Sequence, residues 1–340
     1  MNELNMGLFG KSLERDMRKE EKEQEREEEL AQQQEQPQPR AVKKPAREKS
    51  QTAEMTPAPE APQRVRAERT KRTGNWRTEW MNQLPVDDRM VLMSDYTKAV
   101  IRGHINMLVI TGDPGIGKTY TVENLLKTEH KGKENEDWVL IKASATPKGV
   151  YNTIVQMAAR ADHALAKAED SKQKGALTEA PTLPVIVFDD VPLWDGPNKK
   201  VFTDFMKALA DTSDKRTVSW LNNQTSLDAK EQADGKMPAS VEYRGGIIVI
   251  SNEPESKIHK AVRDRAVCLP IEVNDKEMVQ LMKTRLPHLQ KEVPMELKRQ
   301  VLEWIQTEYE GEEMSMRTLV KAIKIAHSSP TRWKHMVALV

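Results

Sequence analysis

From Trp76 onward, short continuous apolar runs alternate with longer stretches in which apolar residues recur every three or four positions. That rhythm is the signature of strands buried on both faces of a parallel sheet and separated by helices. The expected strands are Asn106 to Thr111, Trp138 to Ala143, Val185 to Asp189, Ile247 to Ser251 and Val267 to Ile271. The expected intervening helices are Lys118 to Glu129, Lys148 to Glu169 and Lys199 to Asp211. From Asn274 the strand signals stop. Amphipathic helices are expected over Asp275 to Leu286, Pro294 to Tyr309 and Ser315 to His327, with a short last one after them. The fold class expected is therefore α/β: a parallel-sheet core over residues 73–272, then a small all-helical region over 273–340. No internal repeat is visible.

Residues 1–72 follow neither period. After Met6-Gly7-Leu8-Phe9-Gly10, positions 11–36 are almost entirely Lys, Arg, Glu and Gln, and residues 37–63 add many Pro, Ala and Gln. Such a composition buries too little apolar surface to offset the entropy of ordering it, so a mostly disordered or solitary-helix tail is expected. Between Arg40 and Arg77 it carries 11 basic residues against 4 acidic ones. That bias permits contact with phosphates, although solvated tails share it. Over the whole chain 53 Lys and Arg nearly balance 52 Asp and Glu, so bulk charge does not point to nucleic acid. The single cysteine, Cys268, lies in an apolar run and is expected to be buried strand; a reducing, cytoplasmic setting fits. No apolar run reaches the roughly 18 residues a membrane span requires, and no membrane association is expected.

The strongest chemical signal is Gly112-Asp113-Pro114-Gly115-Ile116-Gly117-Lys118-Thr119, which fills G-x-x-x-x-G-K-[ST] after one expected strand and before one expected helix; Tyr120 follows. Glycines allow such a loop to wrap backbone N–H groups around phosphates, and the helix start adds its own N–H groups and dipole. Lys118 is expected on the β and γ phosphates of ATP and Thr119 on Mg²⁺. A metal held this way needs a carboxylate from a neighbouring strand, and Val185-Ile186-Val187-Phe188-Asp189-Asp190 ends in two. Asp189 is assigned to the metal and Asp190 to polarising the attacking water.

With these motifs in place, residues 87 to about 335 resemble the AAA+ ATPases, notably the compact single-module proteins of phages and mobile elements. The resemblance implies a strand-end asparagine that orients the water, for which Asn252 after Ile247–Ser251 is the match. It implies an arginine finger acting on a neighbouring subunit's nucleotide, best matched by Arg265 with Arg263 beside it. It also implies a further arginine at the start of a lid helix, matched by Arg317, with the region 273–340 as the lid. A finger acting in trans implies a homo-oligomer, usually a hexameric ring. Asp190 departs from the family's usual glutamate and is one methylene shorter, which implies slower hydrolysis.

Two segments are candidates for contact with a substrate. Tyr151 and Lys148, after the second strand, stand where a pore loop of the family would lie, to grip a polypeptide or stack on a base; they could equally begin the next helix. Thr212 to Gly246, long for a plain connection, carries Lys215, Arg216, Trp220, Lys230, Lys236, Tyr243 and Arg244. The expectation is an ATPase of a DNA transaction such as replication, helicase loading or recombination. The alternatives are a protein-remodelling ATPase, with the tail as the element that binds a protein partner, and an ATP-dependent switch that hydrolyses little.

Overall fold

A computed structural model describes residues 76–130, 132–174, 181–233, 235–309 and 314–338. All of these lie in one compact unit spanning Arg69–Val340. The tail read at 1–72, with Met6 to Gly10 and nearly all of the basic stretch, lies outside the described residues.

Five strands form one all-parallel sheet: β1 (Met107–Gly112), β2 (Trp138–Lys142), β3 (Val185–Asp189), β8 (Gly246–Ser251) and β9 (Val267–Ile271), in the spatial order β2-β3-β8-β1-β9. Parallel neighbours cannot be joined by hairpins, so each connection crosses over a face of the sheet. The crossovers carry α3 (Lys118–Glu129), α4 (Pro147–Gln173), α5 (Lys199–Leu209) and the short α7 (Lys260–Arg263). Two helices precede the sheet, α1 (Trp76–Asn82) and α2 (Val86–Ile101). Both stand ahead of the first expected strand and were not expected individually.

Alternation within each strand divides the core. Leu108, Ile110, Val185, Val187, Ile248 and Ile250 face one side, packed with Met90, Met93 and Val100 of α2 and Val122 and Leu126 of α3. Met107, Val109, Ile186, Phe188, Ile247 and Val249 face the other, against Ile154 and Met157 of α4 and Phe202, Phe205 and Met206 of α5. Burying both faces removes any polar alternation, which is why these strands read as continuous apolar runs. After β9 the chain is helical: α8 (Asp275–Arg285), α9 (Met295–Thr307), α10 (Met316–Ser328) and α11 (Trp333–Val337). Their apolar residues, among them Leu281, Val301, Ile305, Leu319 and Ile323, belong to the first of the two cores. No helix among the described residues is long and apolar enough to cross a membrane.

The segment from Thr212 to Gly246 is not an open loop. It contains β4 (Arg216–Ser219) paired antiparallel with β7 (Ser240–Tyr243), and between them β5 (Thr225–Ser226), α6 (Ala229–Ala233) and β6 (Met237–Pro238). Two of its residues offered as ligand contacts are structural. Arg216 is buried and donates to the carbonyls of Leu209 and Gly245, with its guanidinium 5.1 Å from the ring centre of the buried Tyr243. At the surface, Lys215 pairs with Glu242 at 3.4 Å, Arg244 with Glu242 at 3.8 Å and Lys236 with Glu231 at 2.9 Å. The excursion therefore buries Arg216 and Tyr243 of the set expected of it, half-buries Trp220 and Arg244, and leaves Lys215, Lys230 and Lys236 exposed.

Of the two readings offered for Tyr151, the start of a helix is the one found. It is 0% exposed, lies 5.8 Å from Phe205 and 5.4 Å from Trp220 between ring centres, and donates its hydroxyl to the Pro238 carbonyl at 2.9 Å. The residues around it start a helix: Thr146 caps α4 by accepting from the Gly149 N–H at 3.1 Å, and Pro147 occupies the first turn, where a missing N–H costs nothing. Tyr151 is an anchor between α4, α5 and the β4–β7 excursion, not a grip on a substrate. Cys268 is buried in β9 as expected.

Candidate functional site

The carboxyl ends of β1, β3 and β8 lie side by side, because the register pairs Thr111 with Ser251 and Asp189 with Ile250. The residues that follow these strand ends, Gly112 to Thr119, Asp190 and Asn252, are thereby gathered at one edge of the sheet. Ligands of open parallel sheets bind at this edge.

The loop after β1 requires its glycines. Gly112 has φ 143°, and a Cβ there would overlap the carbonyl of Ile271 on the adjacent β9. Gly115 has φ 77°, and a Cβ there would lie 2.7 Å from the Cβ of Ser315, which caps α10. At that same point the Met316 N–H donates to the Gly115 carbonyl at 3.0 Å. The start of α10 is thus docked on the phosphate-type loop by backbone contact. A second tether joins the loop to the strand-to-helix junction, where the Val273 N–H donates to Asp113 Oδ2 at 3.2 Å.

Polar side chains at this edge form two linked pairs. Lys118 donates from Nζ to the carbonyls of Gly112 (2.7 Å) and Asp113 (2.8 Å) and to Asn252 Oδ1 (2.8 Å). Asn252 in turn donates from Nδ2 to Asp190 Oδ2 at 2.8 Å. Beside this chain, Thr119 donates its hydroxyl to Asp189 Oδ1 at 2.8 Å. Asp190 sits at φ 53°, a left-handed backbone unusual for a residue other than glycine. Its N–H still bonds the Ile250 carbonyl at 3.0 Å, so the turn that aims its carboxylate toward Asn252 is held by the sheet.

Burial sets the charges. It pushes the Lys118 ammonium down to about 8, against the pull of Asp190, Asp113 and Asp189 in the opposite direction, while Arg317 adds to the lowering. It also raises the Asp189 carboxyl, a rise that the Thr119 hydroxyl opposes and nearby Asp190 reinforces. An ammonium and a carboxyl held away from water in this way favour an arriving group that restores charge balance: phosphate oxygens for one, a cation for the other.

These residues line a cavity of about 940 Å³ between the sheet edge and the C-terminal helices. Gly115, Ile116, Gly117, Lys118, Thr119 and Tyr120 form one wall with Asp190 and Asn252, and Arg317 projects from α10 opposite. Gly112 and Asp113 reach the site through Lys118, and Asp189 through Thr119; none of these three, nor Pro114, lines the cavity. Residues that the motifs did not reveal complete it: apolar Met90 of α2 and Leu281 of α8, and cationic Arg285, Lys291 and Lys321. Spacing could have placed Met90 on a buried helical stripe with Met93 and Val100, but not against a ligand.

Arg263 and Arg265 are not brought to this cavity. Arg265 is exposed and donates to the Lys207 carbonyl at 3.2 Å, while Arg263 is half-buried. No cluster of three or more His, Cys, Asp or Glu able to hold a metal occurs among the described residues. A metal here is fitted only by the Thr119–Asp189 oxygen pair with Asp190 beside it. That set of few, hard donors suits an ion keeping most of its water.

The fold is a parallel α/β sheet with a G-x-x-x-x-G-K-T loop at its carboxyl edge, and in the order of its motifs the chain resembles the AAA+ ATPases. No family model matches the chain. Among curated proteins it is 24% identical over 171 residues to a 36.7 kDa protein from the nrdC-mobD intergenic region of Enterobacteria phage T4. That match covers 49% of this chain and 42% of the phage protein, so the chain spans less than half the length of the relative. Among solved structures, it is similar to domain III of the Thermotoga maritima replication initiation protein DnaA, at 15% identity and a TM-score of 0.36, covering 74% of this chain and 90% of that one. A point mutant of Thermotoga maritima RuvB matches at 11% identity and a TM-score of 0.39, covering 76% and 70%. Likenesses of this depth carry no argument about activity or partners.

Proposed function

We propose that the chain binds ATP with Mg²⁺ in the cavity above β1, β3 and β8 and hydrolyses it. The observation that carries this is the single hydrogen-bonded array Lys118–Asn252–Asp190, with Thr119–Asp189 beside it, under a glycine-dependent loop at a helix start. Each member has a role that its position supports. Loop N–H groups and Lys118 bind the β and γ phosphates. Thr119 and Asp189 hold Mg²⁺, which when bound offsets phosphate charge. Asn252, already bonded to Asp190, orients a water, and the Asp190 carboxylate polarises it and accepts its proton. Arg317 contacts the same nucleotide from α10, the helix that docks on Gly115. Residues 273–340 act as a lid over the core 73–272.

Arg265, exposed and away from its own chain's cavity, acts as the finger of a neighbouring subunit in a homo-oligomeric ring. The setting proposed is a DNA transaction, supported by the basic excess between Arg40 and Arg77. The protein-remodelling alternative loses its principal support with the burial of Tyr151.

Steady-state ATP turnover with and without single-stranded DNA, double-stranded DNA and an unfolded polypeptide tests this. The expected result is Mg²⁺-dependent turnover stimulated by DNA. Stimulation by polypeptide alone would replace the DNA setting, and ATP binding without turnover would make the chain a switch.

The pH dependence follows from Lys118. With its free-site value near 8, a bound triphosphate favours the ammonium and raises that value, so binding takes up a proton once the pH exceeds about 8. Affinity is expected to fall as pH rises through this range, by up to about tenfold per unit, and to be insensitive to Lys118 below it. Calorimetry at about pH 9 in two buffers of different ionisation enthalpy should show the uptake; identical heats would refute it.

A further inference from the structure

The exposed Arg265 and the cavity residue Asn252 belong to one continuous stretch. From Asn252 the chain runs through a 3₁₀ turn at Glu255–Lys257 and then α7 to Arg265. Near its start, just past Asn252, Glu255 is 7% exposed, an unusual place for a carboxylate. Its partner comes from the other end of the described chain. Arg77, in the first turn of α1, donates from Nη1 to Glu255 Oε1 at 2.7 Å, and its guanidinium lies 5.0 Å from the ring centre of Trp76.

The pair is partly buried, with Arg77 28% exposed against 7% for Glu255. Glu255 Oε2 and Arg263 Nε are both buried without a hydrogen-bond partner among the described residues. Cys268 of β9, against which α1 packs, feels the charges of Glu255, Arg77 and Arg263 together. Burial is the larger influence on that thiol and raises its pKa, with these charges of α1, the 3₁₀ turn and α7 adding smaller ones. Buried polar atoms left partly unsatisfied are costly and call for an explanation beyond packing. A buried ion pair is also weak evidence of stability, since apolar residues of the same volume often serve that purpose better.

We propose that Arg77 and Glu255 are positioning residues, whose ion pair clamps the Asn252–Arg265 stretch so that its two ends serve two nucleotide sites at once. One end holds Asn252 on Lys118 and Asp190 within its own cavity. The other presents Arg265 at the surface. A clamp between the two ends, next to Asn252 and ahead of α7, bears on the position of both, and Arg77 acts through them without touching nucleotide. The inference rests on the functional assignment of Asn252 and Arg265 given above. It also gives α1, the first of the described helices, a direct mechanical link to the arginine.

The test uses the full chain. Glu255→Gln, which keeps shape and an acceptor for Arg77, and Arg77→Gln are each expected to lower kcat roughly 10- to 100-fold, the scale of a small displacement of reacting groups. Nucleotide affinity should stay within about twofold, giving a kcat effect without a matching KM effect. Combining Arg77→Glu with Glu255→Arg should regain part of the turnover that either change alone removes. Adding Glu255→Gln to Arg265→Ala should cost much less than the two losses multiplied, because both act through Arg265.

Wild-type turnover by Glu255→Gln, or equal losses of affinity and turnover with a lowered melting temperature, would overturn the inference. If Arg77→Gln does not fold, Glu255→Gln decides alone. Two failures are distinguishable: normal turnover by Arg265→Ala removes the finger assignment itself. An inactive Arg265→Ala beside fully active Glu255→Gln leaves that assignment standing and removes only the clamp.

Discussion

Lys118→Ala is expected to weaken ATP binding by about 100-fold or more and to abolish turnover, while the protein still folds. The ammonium lies within hydrogen-bond reach of both Asn252 and the loop carbonyls, so on binding it supplies charge-assisted hydrogen bonds to phosphate. Losing two of these, at roughly 1.5–3 kcal/mol each, accounts for that factor. The fold should survive because burial already disfavours this charge, as its depressed pKa of about 8 shows. Titration with a fluorescent ATP analogue, alongside a melting curve, checks both halves. Undiminished binding with the fold intact would remove the phosphate assignment from the loop.

The second large effect is expected at a residue far from its own cavity. Arg265→Ala should leave ATP affinity near wild type and lower turnover by a factor on the order of 10³, the contribution of an arginine that stabilises transferring phosphate from a neighbouring subunit. Little structural loss is expected, since Arg265 is exposed and its hydrogen bond is to the Lys207 carbonyl. Mixing this variant with Asp190→Asn should restore part of the activity. In the mixed oligomer an Asp190→Asn subunit lends its Arg265 to a site that keeps Asp190. Turnover that stays at the level of the separate variants would argue against sharing of sites, and normal turnover by Arg265→Ala alone would exclude the finger.

Much of the site could be read from sequence because its parts are local. The loop Gly112–Thr119 is contiguous, and each glycine in it answers a backbone constraint within a few residues or at the adjacent strand. Asp189 and Asn252 were marked by standing at or just past the end of an apolar run, and the register of β1, β3 and β8 then brought them together. Helix ends were less legible: α4 continues to Gln173, beyond the expected Glu169, where polar residues leave no apolar stripe to mark a boundary.

The misreadings concern side chains whose roles depend on partners distant in sequence. Tyr151 follows a strand, as a contact residue would, yet it is buried because α5 and the β4–β7 excursion supply Phe205, Trp220 and the Pro238 carbonyl. Arg216 looked like a ligand for phosphate. It instead satisfies the carbonyls of Leu209 and Gly245, which would otherwise be buried without donors.

Sequence by itself determined the five strands of the parallel sheet, the glycine loop Gly112–Thr119, the strand-end carboxylates and the burial of Cys268, since period, glycine spacing and apolar run length are properties of neighbours along the chain. Only the tertiary structure decided which charges face the cavity, how α10 docks on Gly115, and that Arg77 reaches Glu255. Those contacts join residues separated by 178 positions in the case of Arg77 and Glu255. No local pattern encodes such a pairing, because it exists only once the sheet order has brought α1 against β9.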